Sequence, residues 1–127
     1  MDALLAREPF VADAAFLLET VESGQIEGFM SATTVTVVYY LVGRQTKSAE
    51  VAIAAVTQLL ALMKICVVDR GVLEQAIALG LTDFEDAVQV ASAMKLGLEA
   101  IVTRDVNGFT GSLIPVLSPK DMRNRLM

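Results

Sequence analysis

The sequence contains no histidine, and its only cysteine is Cys66. Without histidine the chain lacks the usual general base, the usual nitrogen ligand for metals, and any Ser-His or Cys-His catalytic pair. A single cysteine excludes a disulfide within the chain, and its place in the apolar run at residues 65–68 favours a small buried side chain in a strand. Any catalysis must therefore rely on carboxylates.

Long apolar runs and an excess of positive charge are also missing. The longest apolar stretches, residues 35–42 and 51–56, are far shorter than the roughly 20 residues that span a bilayer. No basic segment leads into an apolar one at the start, so no secretory signal is visible and we expect a cytoplasmic location. A formal net charge of -5 argues against a broad basic surface for nucleic acid, whereas an acidic site that recruits cations remains compatible with an anionic substrate.

Apolar residues, by contrast, are abundant. They make up 54% of the 127 residues, and the mean hydropathy is +0.57. No stretch of Pro, Gly or Ser divides the chain, which predicts a single domain over residues 1–127. A small monomer does not easily hide this much apolar material, so we expect part of it to cover a second subunit in a homodimer.

The order of the predicted elements indicates the fold class. Residues 3–6 are interpreted as a short apolar turn, and β-rich runs predict strands at residues 26–30, 65–68, 100–102 and 115–117. Apolar spacing predicts helices at residues 11–21, 35–42, 48–63, 72–79 and 83–94, with a terminal helix opened by Pro119 and with Gly43 closing the second helix. Strands that alternate with helices predict an α/β protein whose mostly parallel sheet has helices on both faces.

One helix start carries a specific signal, the sequence Thr82-Asp83-Phe84-Glu85. This is a capping box, in which the Thr82 hydroxyl accepts from the backbone N–H of Glu85 and the Glu85 side chain returns to the N–H of Thr82. The pattern predicts that the helix begins at Asp83.

Polar residues that follow the predicted strands are the candidates for a site, because ligands bind beyond the carboxyl ends of parallel strands. Asp83 and Asp86 lie three residues apart at a helix start, and Asp105 follows the strand that comes directly after that helix, so these carboxylates could converge. A set of oxygen ligands without His or Cys suits Mg2+ or Mn2+. Such ions assist phosphodiester hydrolysis, which is the predicted class of reaction.

Each candidate also has a purely structural interpretation. Acids in a first helical turn stabilise the helix dipole, and Asp105 lies in a sequence with turn chemistry. The hydroxyls at residues 31–34 are helix caps first and phosphate contacts second. The candidates for contacts with a substrate phosphate, all near strand ends, are Ser31, Thr103 and Arg104.

Residues 82–93 followed by residues 100–105 resemble the second half of a PIN domain, and residues 3–10 and 114–119 resemble the first helix and the last strand of that family. The resemblance implies a three-layer α/β fold in which Asp86 and Asp105 belong to a metal-binding acid cluster, with Asp83 as a neighbour. Many members are ribonuclease toxins of toxin–antitoxin pairs that cut RNA with Mg2+ or Mn2+ and form dimers. RNA and an antitoxin protein are therefore the expected partners.

The chain departs from the family pattern at two places. Members begin with a strand ending in Asp-Thr-Asn, but residues 1–5 resemble the segment just after that strand, so we expect the first central strand and its acid to be missing and give Asp2 no metal role. Val37 stands where members often carry an acid. These departures predict an incomplete acid cluster. We also expect Met1 to be an internal methionine, and the upstream DNA should then encode an in-frame apolar segment ending in Asp-Thr-Asn.

Three functions fit these patterns. The leading one is a metal-dependent endoribonuclease of toxin type, and the second is a non-catalytic interaction protein that keeps the fold and binds an antitoxin-like partner. A nucleotide-binding domain of response-regulator shape is the third, but the sequence has neither a Gly-rich phosphate loop nor a Lys at a strand end after the acids.

Overall fold

The computed structural model describes residues 2–6, 19–103 and 106–126. The strands are β1 (Asp2–Ala6), β2 (Ile26–Ser31), β3 (Lys64–Cys66), β4 (Ala100–Val102) and β5 (Val116–Leu117). The helices are α1 (Ala32–Thr46), α2 (Ala49–Leu62), α3 (Arg70–Leu79), α4 (Phe84–Leu96) and α5 (Pro119–Leu126), with a 3-10 helix at Val106–Phe109. None of the helices in these ranges has both the length and the apolar composition needed to cross a bilayer.

The five strands form one parallel sheet in the order β3-β2-β1-β4-β5. Leu4 of β1 pairs with Gly28 of β2 and with Ala100 of β4, so these three strands run level with one another. Helices α1 and α2 connect β2 to β3, and α3 and α4 connect β3 to β4. The predicted α/β class with a parallel sheet is confirmed.

Side chains of adjacent sheet residues point to opposite faces and enter different cores. On one face, Ala100 and Val102 belong to a buried cluster with residues of β2, α1, α2 and α5. On the other face, Ile101 packs in a cluster that contains Val90 and Ala93 of α4. Helices therefore cover both faces of the sheet, and α4 is the helix that lies against Ile101.

A third cluster joins α3 to α4. It contains Val72 and Ala76 of α3 and Ala87, Val88 and Ala91 of α4. Helix α4 thus has one side against the sheet and another against α3, and residues 86–93 are all buried. This burial places Asp86 away from bulk water.

Residues 2–6 correct two expectations, the short turn at residues 3–6 and the missing first strand. They form β1, which occupies the central position of the sheet and is hydrogen-bonded to β2 on one side and to β4 on the other. Ala and Leu favour helices in isolation, but pairing on two sides outweighs so small a preference. The resemblance of residues 3–10 to a first helix therefore does not hold for residues 3–6, and residues 7–10 lie outside the described ranges.

Two helix boundaries also differ from the sequence prediction. Helix α1 continues past Gly43 to Thr46 and ends at Lys47, which has a left-handed backbone with φ of 55°. A glycine inside a helix costs only about 1 kcal/mol, so it need not end one. Helix α4 begins at Phe84 with Asp83, not Thr82, as its cap. A carboxylate caps as well as a hydroxyl and is additionally favoured by the helix dipole.

The other predicted helices and strands can be compared with the structure wherever their residues are described. Helices α2, α3 and α5 and strands β2 to β5 appear within a few residues of their predicted positions. Of the predicted helix at residues 11–21, residues 19–21 are helical, and the earlier part is outside the described ranges.

Candidate functional site

Ser31 and Thr103 lie level with each other at the carboxyl edge of the sheet. Phe29 and Ile101 both pair with Leu5, and Ser31 and Thr103 come two residues after them. Their strands flank β1, so their backbones stand about two strand spacings, roughly 10 Å, apart. By alternation their side chains share the face of Ile101, on which α4 packs.

The Ser31 hydroxyl is already engaged at the start of α1. It accepts a hydrogen bond of 3.1 Å from the Thr34 backbone N–H, and it lies 3.1 Å from the Thr34 hydroxyl, with which it shares a second hydrogen bond. Both side chains are buried. The capping interpretation is therefore confirmed for Ser31, and the phosphate contact at Ser31 stays a prediction.

The two acids at the start of α4 have different environments. Asp83 is exposed, and its Oδ1 accepts a hydrogen bond of 3.0 Å from the Asp86 backbone N–H. The Asp86 side chain is buried, with 8% of the residue exposed. Asp83 therefore fixes the first turn of the helix, and Asp86 supplies the carboxylate that faces the protein interior.

The direction of α4 brings Asp86 to the same edge as Ser31 and Thr103. The helix ends at Gly97, and the chain then enters β4 at its amino end, so α4 runs opposite to the strand and its first turn lies at the carboxyl edge. At 100° per residue, Asp86 shares the side of the helix that Val90 and Ala93 present to Ile101. Asp2, by contrast, pairs with Ile26 at the amino edge.

The other predicted acid, Asp105, and its neighbour Arg104 lie outside the described residues. Thr103, directly before them, is buried, and its backbone N–H donates to the Leu117 carbonyl at 2.9 Å. The 3-10 helix after them places Phe109 in the cluster with Val90 of α4. The convergence of Asp86 with Asp105 stays a prediction.

Sequence reasoning missed Gln89, which lies one turn after Asp86 on α4. The residue is fully buried, and within the described part of the chain neither its Oε1 nor its Nε2 has a hydrogen-bond partner. Native proteins rarely leave a buried amide in this state. The signal was present in the sequence, since Gln89 interrupts the otherwise apolar run Ala87-Val88-Gln89-Val90-Ala91 three residues after an acid.

Two other features are separate from this edge. Burial raises the pKa of the Cys66 thiol to about 11, so it stays protonated near neutral pH, as expected for a core residue.

A cleft of about 360 Å³ lies between α3 and α4 and is lined by Asp69, Gly71, Val72, Gln75, Ala91, Met94 and Lys95. The lining residue of α4 nearest to Asp86 is Ala91, five residues away, and it packs against Val72 and Ala76, so the cleft lies on a different side of the helix from the acid.

The cleft is spanned by an ion pair between Lys95 Nζ and Asp69 Oδ2 at 2.6 Å. The hydrogen bond from Lys95, followed by that from the Val72 backbone N–H, lowers the pKa of Asp69. Asp69 also caps α3 through the same bond to Val72. These interactions account for Asp69 as a structural residue that joins α3 to α4.

The carboxyl edge fits a hard divalent cation in the type of its donors but not in the number of acids described. Carboxylate, amide and hydroxyl oxygens are the ligands that Mg2+ and Mn2+ prefer. The unpartnered Gln89 amide is an additional polar group that the protein itself does not satisfy. Among the described residues, however, no three His, Cys, Asp or Glu side chains are grouped closely enough to hold a metal.

Several solved structures share this fold. PAE2754 from Pyrobaculum aerophilum is 17% identical with a TM-score of 0.71, covering 99% of this chain and 95% of its own. A toxin–antitoxin complex from Klebsiella pneumoniae is 19% identical with a TM-score of 0.66, covering 93% and 98%. VapC20 from Mycobacterium tuberculosis, a sarcin–ricin loop cleaving toxin, is 18% identical with a TM-score of 0.60, covering 79% of this chain and 87% of its own.

Comparison with protein families agrees with the architecture. No curated protein sequence matches the chain. A family model described as PIN domain matches residues 1–107, which include β1 to β4 and the whole of α4. The chain therefore belongs to the PIN domain family.

Proposed function

We propose that this chain is a metal-dependent endoribonuclease and acts as the toxin of a toxin–antitoxin pair. The observation that carries the proposal is Asp86, a buried carboxylate in the first turn of α4 at the edge where β2 and β4 end. Carboxylates at this edge of a parallel sheet are positioned for ligands rather than for solvent. Membership of the PIN domain family supports the same class of function.

Each candidate residue has a role in the proposal. Asp86 and Asp105 hold Mg2+ or Mn2+, and Asp83 is a neighbouring acid whose described contact orients the Asp86 backbone. When bound, the ion supplies charge stabilisation for phosphodiester hydrolysis and lowers the pKa of an attacking water. Contacts to substrate phosphate are assigned to Ser31, Thr103 and Arg104.

The partners in the proposal come from the structural relatives. One of them is a toxin–antitoxin complex, and another is titled as a toxin that cleaves the sarcin–ricin loop. By analogy, RNA is the substrate of this chain and an antitoxin protein is its inhibitor. The net charge of -5 argues against a broad basic surface for RNA, and a bound cation would link the acidic site to the anionic substrate, which is a further reason to include the metal.

The test is RNA cleavage and Mn2+ binding by the wild-type chain and by Asp86→Asn. The substrates are ribosomal RNA, transfer RNA and a fragment containing the sarcin–ricin loop. We expect the wild type to cleave at least one of these RNAs with Mn2+. We expect the cleavage activity of Asp86→Asn to be lower by about 100-fold or more, because removal of a group outside the ligand shell already lowers activity about 10- to 100-fold. Calorimetry should show the loss of Mn2+ binding in the variant.

Glu85→Gln is the matched control. Glu85 lies in the same helical turn and is exposed, so this change removes one negative charge without touching the buried carboxylate. We expect the control to cleave and bind Mn2+ like the wild type. Equal activity of Asp86→Asn and the wild type would contradict the proposal.

A specific observation favours the second candidate, a non-catalytic interaction protein. No group of three potential metal ligands occurs among the described residues, and β1 ends in Leu5-Ala6, without an acid at its carboxyl end. Val37 likewise carries no carboxylate. Absence of RNA cleavage with any divalent metal, together with tight binding of an antitoxin-like protein, would support this alternative.

We also propose that the chain forms a homodimer through the outer face of α2. Ile53 and Leu60 on this face are 56% and 55% exposed. Glu50 is the only charged residue in the helix. A nearly uncharged apolar face can pack against its own copy without placing like charges opposite each other, although the whole chain carries a net charge of -5.

A further inference from the structure

Gln89 is a buried polar residue of α4 whose side chain makes no hydrogen bond with the described residues. Both its Oε1 and its Nε2 are buried and unpartnered. Ser92, the next polar residue along the helix, is equally buried, but its hydroxyl donates to the Val88 carbonyl at 2.8 Å. Among the described contacts of this helix, the buried Ser92 hydroxyl therefore has a partner and the buried Gln89 amide has none.

The helix geometry directs the Gln89 amide toward Asp86. The two residues are three apart, so their side chains lie on the same side of the helix, the side that Val90 and Ala93 turn to the sheet. Side chains on a helix also lean toward its amino end. From Gln89 this direction leads to the first turn, where the buried carboxylate of Asp86 lies.

A structural role alone does not account for a glutamine at this position. Ala93, one turn after Gln89 on the same side of the helix, packs in an apolar cluster, so this side of the helix accepts an apolar side chain. Burial of an amide without a partner destabilises a folded protein, and an apolar residue of similar shape would avoid that loss. The unpartnered atoms of Gln89 are therefore available to a ligand that binds at this edge of the sheet.

We propose that Gln89 is a positioning residue of the Asp86 site and that its amide oxygen gains a hydrogen-bond partner when a divalent cation binds there. This inference rests on the metal site of the proposed function. Asp86 would hold the cation, and Gln89 Oε1 would accept a hydrogen bond from a water molecule that the cation binds. Groups outside the ligand shell commonly orient a metal in this way.

The test compares wild type with Gln89→Met in the absence and presence of Mn2+, by thermal unfolding and calorimetry. Methionine keeps the unbranched shape but has no amide. Without metal we expect Gln89→Met to unfold at a higher temperature than wild type, because the unsatisfied amide is gone. With Mn2+ we expect the metal-induced rise in melting temperature to shrink and the Mn2+ dissociation constant to increase about 10- to 100-fold.

Ser92→Ala is the matched control, because Ser92 is buried on the same helix and has a partner inside it. It should leave the Mn2+ dissociation constant unchanged.

If Gln89→Met is more stable but binds Mn2+ as tightly as wild type, the inference is wrong while the metal site stands. If the wild type binds no Mn2+ at all, both the inference and the metal site are wrong. If Gln89→Met weakens Mn2+ binding but no RNA is cut, the inference holds and the ribonuclease proposal fails.

Discussion

Gly28 lies at a position where the fold leaves no room for a side chain. A Cβ atom placed there would lie 2.6 Å from Met63 Sδ and 2.6 Å from Val21 Cγ2, closer than packed carbon atoms approach. The residue sits in β2 beside the central strand, opposite Leu4. Its lack of a side chain lets Met63 and Val21 cover the sheet.

The first prediction concerns this contact. Gly28→Ala should lower the free energy of unfolding by about 1 to 3 kcal/mol, because one added methyl group overpacks a filled space. Gly43→Ala is the control, since its Cβ would meet only Ala52 Cβ at an ordinary 3.7 Å within helix α1. That change should raise the free energy of unfolding by about 0.5 to 1 kcal/mol, because alanine is the better helix former. Urea denaturation of both variants provides the measurement, and equal effects of the same sign would contradict the packing argument.

At the scale of single residues, sequence reasoning identified the chemistry but not the environment of each side chain. It selected Asp83 and Asp86 together, because three-residue spacing places both on one side of a helix. It could not tell that Asp83 would be exposed and engaged as a cap while Asp86 would be buried, since burial depends on how α4 packs against the sheet and α3.

At the scale of secondary structure, the first turn of α4 connects the stability of a helix with the proposed metal site. Asp83 accepts the Asp86 backbone N–H, so the same hydrogen bond caps the helix and holds the residue that carries the buried carboxylate. Loss of the cap would destabilise the first helical turn, which contains Asp86. The two roles considered for Asp83, cap and metal ligand, predict different results for its variants.

The second prediction separates these roles. Asp83→Ala should lower the free energy of unfolding by about 1 kcal/mol because the cap is lost, whereas Asp83→Asn should unfold like wild type because asparagine caps equally well. We expect Asp83→Asn to retain Mn2+ affinity, measured by calorimetry, if the acid acts only as a cap. Loss of Mn2+ binding in a stable Asp83→Asn would instead identify Asp83 as a ligand.

The strands show where prediction from sequence succeeded and where it failed. Residues 100–102 were correctly predicted as β4 because they form a short β-branched run between polar residues. The sequence Asp-Ala-Leu-Leu-Ala of β1 contains no β-branched or aromatic residue, and its strand conformation depends on the two neighbours it pairs with. Because the residues of β1 have no strong preference for a strand, their conformation could not be predicted without knowing that β2 and β4 pair with them.

At the scale of the whole molecule, apolar side chains remain on the surface in spite of three buried clusters. Large hydrophobic residues that are at least half exposed include Tyr40, Ile53, Leu60, Val67, Ile77, Phe84 and Leu113. The composition alone predicted a surplus of this kind. Only the structure locates part of it on α2, a helix with a single charge.

The third prediction tests whether a second copy covers this face. The wild-type chain should have twice its mass of 13.6 kDa in light scattering after size-exclusion chromatography. Leu60→Lys should yield a monomer, because a buried lysine without an acidic partner opposes association. Leu113→Lys adds the same charge at a 70% exposed residue before β5, and this variant should remain a dimer. A dimeric Leu60→Lys protein would place the interface elsewhere.

The two outer strands of the sheet restrict how any peptide can bind to this protein. Strand β3 has three residues and carries the exposed Lys64, which pairs with Glu27, and strand β5 has only two residues. Edge strands this short offer too few backbone N–H and C=O groups for an incoming strand to extend the sheet. A lysine on an edge strand further disfavours the addition of a strand. On the described part of the chain, a partner peptide would therefore be recognised mainly through side chains, so its specificity would depend on the spacing of its own anchor residues and little on an extended backbone.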